Sequence, residues 1–275
     1  MKIKHKISAI VLGLAGLMGA SSASAAIVGG VDFGPFPNHI ETTTVAETFV
    51  TGNGQTVTGY GAVGSVNGDF TYTSDGSSLY FIFKYTTQNY SPTSVEFING
   101  TVDIYKGTLG NLLLTSSATN LTNIQSLSEW VRLDGHANLG GAATPTAEIL
   151  ATGFFTGTSL SFTGGGLLDV NTTDGFGLAD VAAYLDANTI PDSIFGMADI
   201  AFTSSANNRV LNAADVASGA TAGCSNGTAA AGAWCFAGSA DLRGDLVIPE
   251  PGSLALLGLG LAGLGFVKRR GAQVK

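Results

Sequence analysis

From Ser78 to Thr87 the apolar positions alternate, with Leu79, Phe81, Phe83 and Tyr85 on one side and Tyr80, Ile82 and Lys84 on the other. Successive side chains of a strand point to opposite faces, so a segment apolar on both reads as a central strand covered from two directions. Residues 101–106 place Val102 and Ile104 on one face, directly behind Asn99-Gly100, a strong short-range turn signal. The same pattern predicts strands at 47–51, 69–73, 94–98, 112–116, 130–133, 148–156, 159–163, 197–203 and 240–246. Two segments carry helical spacing instead: 121–129 behind Asn120 as N-cap, and 178–186 with Leu178, Val181, Ala182 and Leu185. Residues 204–233 read as a long surface loop. Short strands punctuated by Gly, Asn, Asp and Ser predict an all-β fold, a single antiparallel β-sandwich or jelly-roll-like domain with one or two short helices.

The two ends carry a different pattern. Lys2, Lys4 and Lys6 precede an apolar stretch from Ile7 to Ala20, and Ala23-Ser24-Ala25 follows. A basic start, a short apolar run and small residues at −3 and −1 make a secretory signal over 1–25, cut by signal peptidase after Ala25. At the other end Ile248-Pro249-Glu250-Pro251 precedes an apolar run from Ser253 to Val267, closed by Lys268-Arg269-Arg270. Fifteen helical residues rise only ~22 Å against a hydrocarbon core of ~30 Å, so this helix suits transient membrane insertion better than permanent anchoring. The basic cluster stays on the cytoplasmic side. Pro249 and Pro251 hold the chain extended before the helix, where a membrane-embedded peptidase could grip it.

Ile248-Pro249-Glu250-Pro251-Gly252-Ser253, the Leu/Gly/Ala-rich helix and the basic tail together resemble the PEP-CTERM sorting signal of Gram-negative bacteria, with Ile248 where Val is commoner. The resemblance implies recognition by an exosortase, removal of the tail over 248–275 and delivery to the surface or extracellular matrix. It leaves residues 26–247 as the exported β-rich domain, unmatched to a family.

Charge narrows the partners of that domain. Residues 27–247 hold five Lys and Arg against nineteen acidic residues, a net of −14. Nucleic acid and anionic lipid need clustered Lys and Arg, so both are excluded as partners, and a cation or an uncharged exopolysaccharide fits better. Cys224 and Cys235 are the only cysteines and lie in an oxidising compartment, which predicts a disulfide. Asp169, Asn171, Thr173 and Asp180 fall at positions 1, 3, 5 and 12 of an EF-hand-like loop and could take calcium. Position 6 is Asp174 where that loop demands Gly, so a strand-to-helix turn accounts for the same residues. Trp130 and Trp234 could offer a sugar-stacking platform, or pack in the core and against the disulfide.

Signatures of catalysis are sparse. The exported domain has two histidines, His39 and His136, and no serine-hydrolase elbow or His-Glu-x-x-His motif is read in it. Asp134-Gly-His136 reads as a polar turn. Gly59-Tyr-Gly61-Ala-Val-Gly64 matches G-x-G-x-x-G but leads to another strand, which fails the dinucleotide-binding context. The expected function is a non-enzymatic surface or matrix protein in adhesion, flocculation or exopolysaccharide assembly, without a cofactor. The alternatives are a carbohydrate-binding module, calcium-assisted, and a secreted polysaccharide hydrolase using paired carboxylates.

Overall fold

The computed structural model describes residues 26–34 and 38–245. A small hairpin, β1 (Ile27–Val28) and β2 (Val31–Asp32), opens the domain. An antiparallel meander follows, made of β3 (Asn38–Thr48), β4 (Thr56–Val66), β5 (Ser78–Gln88) and β6 (Ser94–Gly107). Helix α1 (Ser117–Gln125) leads into β7 (Ser128–Gly135), β8 (Ile149–Phe154) and β9 (Ser161–Val170). Then come α2 (Ala179–Leu185), the hairpin β10 (Ile190–Pro191) with β11 (Met197–Ala198), β12 (Ile200–Asn207), α3 (Ala213–Ser218) and β13 (Trp234–Gly244).

The sheet closes on itself. β9 pairs with β12, β12 with β13, and β13 with β3, all antiparallel. On the far side β6 is long enough to serve two neighbours: Ser94–Phe97 pairs with β8 and Thr101–Lys106 with β7. β9 rejoins both, so β7 and β8 lie end to end in one place of an eight-position barrel. The all-β expectation therefore holds, but the expected two-sheet sandwich is a closed antiparallel barrel. Strand alternation marks which face is apolar; it does not say whether that face meets a second sheet or the far wall of its own.

The apolar interior is the lumen. Ile40, Val57, Phe81, Val102, Ile149, Phe162 and Leu242, from seven different strands, belong to one buried cluster. A second cluster lies outside the wall, where Tyr60, Tyr80, Ile82 and Tyr105 meet Ile124 of α1. β5 is thus covered from both sides, as its pattern predicts. Apolar inside and charged outside is the reverse of the polarity of a membrane barrel. Among the described residues no helix is long and apolar enough to cross a membrane, and the C-terminal apolar run lies outside them.

Glycines let the aromatic side chains share the lumen. Gly59 lies opposite Phe83, and a Cβ on Gly59 would stand 2.1 Å from the Phe83 ring. Gly100 would place one 1.8 Å from Tyr85. The G-x-G-x-x-G run is therefore barrel wall, with the Phe83 ring over Gly59. Asn99-Gly100 is a bulge inside β6, two residues opposite Tyr85, and not a hairpin turn.

Other expectations shift in detail. Residues 69–73 and 112–116 are turns, two isolated bridges and a short 3₁₀ segment. Ser116, not Asn120, caps α1 by accepting from the Thr119 N–H, and Asn120 is fully buried. The expected loop at 204–233 contains the end of β12 and helix α3.

Apolar side chains pack at each end of the barrel. At one, Phe162 packs between Phe155 and Phe236, at centroid distances of 5.4 and 5.1 Å. The predicted disulfide between Cys224 and Cys235 joins the same cluster. Replacing both cysteines by Ala should lower unfolding stability by about 3 kcal/mol, from lost loop closure in the unfolded chain. Urea denaturation of the double variant checks this, and an unchanged midpoint would mean that packing alone holds the segment. At the other end, Val31, Phe33, Trp130, Val181 and Leu185 form the plug.

Candidate functional site

The lumen retains a cavity of about 60 Å³ among side chains from all eight wall positions. Its lining is aliphatic and aromatic except for a few groups, of which Glu47 is the ionisable acid. Val45 and Glu47 occupy lumen-facing positions of β3, while Ala46 between them packs outside with the α1 cluster. Burial pushes the Glu47 carboxyl from 4.5 up to about 8, because an apolar enclosure penalises the charged form. Tyr85 also faces the cavity, with its hydroxyl buried and without a hydrogen-bond partner, and burial raises its pKa as well. A cavity of this size admits a few waters, which can hydrogen-bond to both groups. It does not admit a drug-sized ligand.

Polar groups gather at the plugged end. His136, just after β7, places Nδ1 2.8 Å from Asp169 Oδ2, and its Nε2 lies 3.3 Å from Asp192 Oδ2. Burial alone would lower the imidazole pKa, but the two carboxylates outweigh it and hold the pKa above its ordinary value. Asp192 also accepts the Ile194 and Gly196 N–H groups, so this pair fastens the β10–β11 hairpin to the barrel. With both ring nitrogens facing carboxylates, His136 has no free nitrogen to activate a nucleophile.

The four residues predicted for calcium are engaged as follows. Asp169 receives His136. Asn171 Oδ1 accepts the N–H groups of Thr173 and Asp174, and its amide donates to Asp134. Thr173 Oγ1 meets that same Asn171 oxygen at 3.3 Å, and Asp180 is exposed in the first turn of α2. Asp174, at the position reserved for Gly, pairs with Arg132, which also grips Asp103 through two nitrogens and stacks on Phe176. This is a turn tied down by hydrogen bonds.

Trp130 presents no stacking face to solvent. Trp130 is 0% exposed; its indole N–H donates to Gly29 O at 3.2 Å, and its ring stacks on Phe33. Trp234 is half-buried, its ring meeting Tyr60 edge-on at 5.4 Å. The sorting and processing residues Ala23, Ala25, Pro249, Glu250, Pro251, Lys268, Arg269 and Arg270 lie outside the described residues.

Three features escape the sequence reading. Glu47 carries no motif, and only its place among apolar neighbours could have marked it. Tyr60, Ser117, Asn120, Asn212 and Asp215 form a fully buried network, with Asp215 accepting from Ser117 N and Oγ and Tyr60 Oη receiving both Asn120 and Asn212 amides. It ties α1 and α3 to the barrel wall. The third is Gly223-Cys224-Ser225-Asn226-Gly227, which spells G-x-S-x-G. Ser225 is exposed in consecutive turns inside the disulfide loop, without the strand-to-helix elbow that would activate it.

Residues 247–270 match the family model for the PEP-CTERM protein-sorting motif. No curated protein and no solved structure matches the chain. Barrel and motif together define the class: a disulfide-containing antiparallel β-barrel followed in sequence by an exosortase sorting signal. The motif implies an exported protein processed at the membrane by an exosortase.

Proposed function

We propose that this protein is a non-catalytic structural or adhesive component of the cell surface or extracellular matrix, released after signal peptidase and an exosortase have removed its two ends. The observation that carries this reading is the sorting motif at residues 247–270 immediately behind a closed, disulfide-bearing barrel. A closed sheet leaves no free edge along its wall for uncontrolled strand pairing, which suits a protein concentrated outside the cell. The acidic surface favours cations and uncharged polymers, which supports exopolysaccharide as the proposed polymer partner.

Intact mass of the protein recovered from its host's matrix tests the delivery. The expected product runs from Ala26 to the neighbourhood of Pro249. A product that keeps residues 252–275 and fractionates with membranes would overturn delivery to the matrix. The adhesive role has its own test: a deletion strain should flocculate less or assemble less matrix, and parental behaviour would remove that role while leaving the processing intact.

A further inference from the structure

β3 and β13 lie side by side on the outer wall, and their register sets three donors together. Glu41 is directly opposite Asp241, and His39 is opposite Arg243. The donor atoms of His39, Glu41 and Asp241 all lie within 4.8 Å of one another. Like charges directly opposite on antiparallel strands destabilise the pair. Yet Arg243 forms no ion pair with either carboxylate among the described residues.

The imidazole is the second anomaly. His39 Nε2 is buried and has no hydrogen-bond partner. Glu41 Oε1 is only 3.4 Å away, but the two do not meet in hydrogen-bond geometry. A buried polar atom left unpartnered is costly, and the obvious local remedy, an N–H turned onto the carboxylate, is not taken. Two ligands 2.0–2.2 Å from a tetrahedral cation stand about 3.4 Å apart, each aimed at the cation and not at the other. The His39–Glu41 pair has that separation and makes no hydrogen bond.

The surroundings support the ligands as outer partners do in metal sites. Ser65 donates to Glu41 Oε2 at 2.7 Å and leaves Oε1 for the cation. The His39 backbone N–H is fixed by Asn67 Oδ1, which sets the strand end that carries the imidazole. Glu41 is 44% exposed, so its carboxylate has room to close the remaining distance.

We infer that His39, Glu41 and Asp241 form a binding site for a divalent transition cation, zinc being the one whose nitrogen-and-oxygen preference they fit best. One nitrogen and two carboxylate oxygens leave a tetrahedral zinc one open position. Calcium, which takes six to eight oxygens, is excluded by the imidazole and the small donor count. The cation cancels the cross-strand repulsion and cross-links the first and last barrel strands, with Asp241 six residues before the sorting motif begins.

The exported protein, stripped with a chelator, should bind one equivalent of zinc in titration calorimetry. At about a hundredfold excess over Kd its melting midpoint should rise by roughly 5–10 °C. Millimolar calcium should give no such rise. Asp241→Asn and His39→Ala should each weaken zinc binding by more than about tenfold, with Asp241→Asn melting no lower than the parent without metal because it removes the cross-strand repulsion. His136→Gln should bind like the parent. Absence of heat and of any midpoint shift overturns the site. So does zinc binding that survives in both Asp241→Asn and His39→Ala, because the ion would then be held elsewhere.

Discussion

Trp130→Ala is expected to lower the unfolding free energy by about 3–5 kcal/mol, the largest loss of any single substitution considered for this fold. The side chain is fully buried, so its removal forfeits the whole apolar transfer term and leaves a cavity in the plug. It also strands Gly29 O, which now accepts the indole N–H. Phe33 loses its stacking partner, and the β1–β2 hairpin loses one of its attachments to the barrel end. Trp130→Phe keeps most of the volume and drops the hydrogen bond, so it should cost less than half as much. Urea denaturation of the two variants separates packing from hydrogen bonding. A loss under 1 kcal/mol for Trp130→Ala would mean that the plug is not part of the cooperative unit.

Glu47→Gln should stabilise the protein increasingly as pH rises above about 4.5, with the full gain reached above about pH 8. The folded-state pKa of Glu47 lies above its unfolded value, so the native barrel holds this proton more tightly than the unfolded chain does. Stability from this group is fully present below about pH 4.5 and is lost as pH rises through about 8. Each unit of displacement is worth about 1.4 kcal/mol, and water in the cavity reduces the full value, leaving roughly 2–4 kcal/mol lost at pH 9. Gln has the same shape and no charge. The variant should therefore match the parent near pH 4 and exceed it by that amount at pH 9. Chemical denaturation at the two pH values reads this directly, and parallel pH profiles would mean that the carboxylate is already well solvated in the lumen.

The β segments were legible where both faces carried a signal. Leu79 to Tyr85 on one side and Tyr80 with Ile82 on the other announced a covered strand, and β5 is one, with the lumen beneath and α1 above. The disulfide was legible because two cysteines in an exported chain have one way to pair. β4 was passed over because its glycines carry no hydrophobic signal. Gly59 is interior through what it lacks: Phe83 fills the space a side chain would take. The Asn99-Gly100 pair was read as a turn because a left-handed residue followed by glycine serves hairpins and bulges alike, and only the partner strand distinguishes them. Of the candidate chemistry, the calcium residues follow from loop spacing that a hydrogen-bonded turn shares. Glu47 has no local spacing to read, and the His39–Glu41 pair on β3 gains its third member, Asp241, only through pairing with β13.

Sequence alone determined the sorting motif, the β class and the disulfide, because each depends on residues close in the chain or on a count. A sorting motif is a short linear segment, so it needs no folded context to be recognised. Closure of the barrel, the neutral acid in its lumen and the meeting of His39 with Asp241 were decided by the tertiary structure. Pairing of β9 with β12 and of β3 with β13 joins residues far apart in sequence. A side chain's charge state and its ligand partners depend on what those pairings place around it.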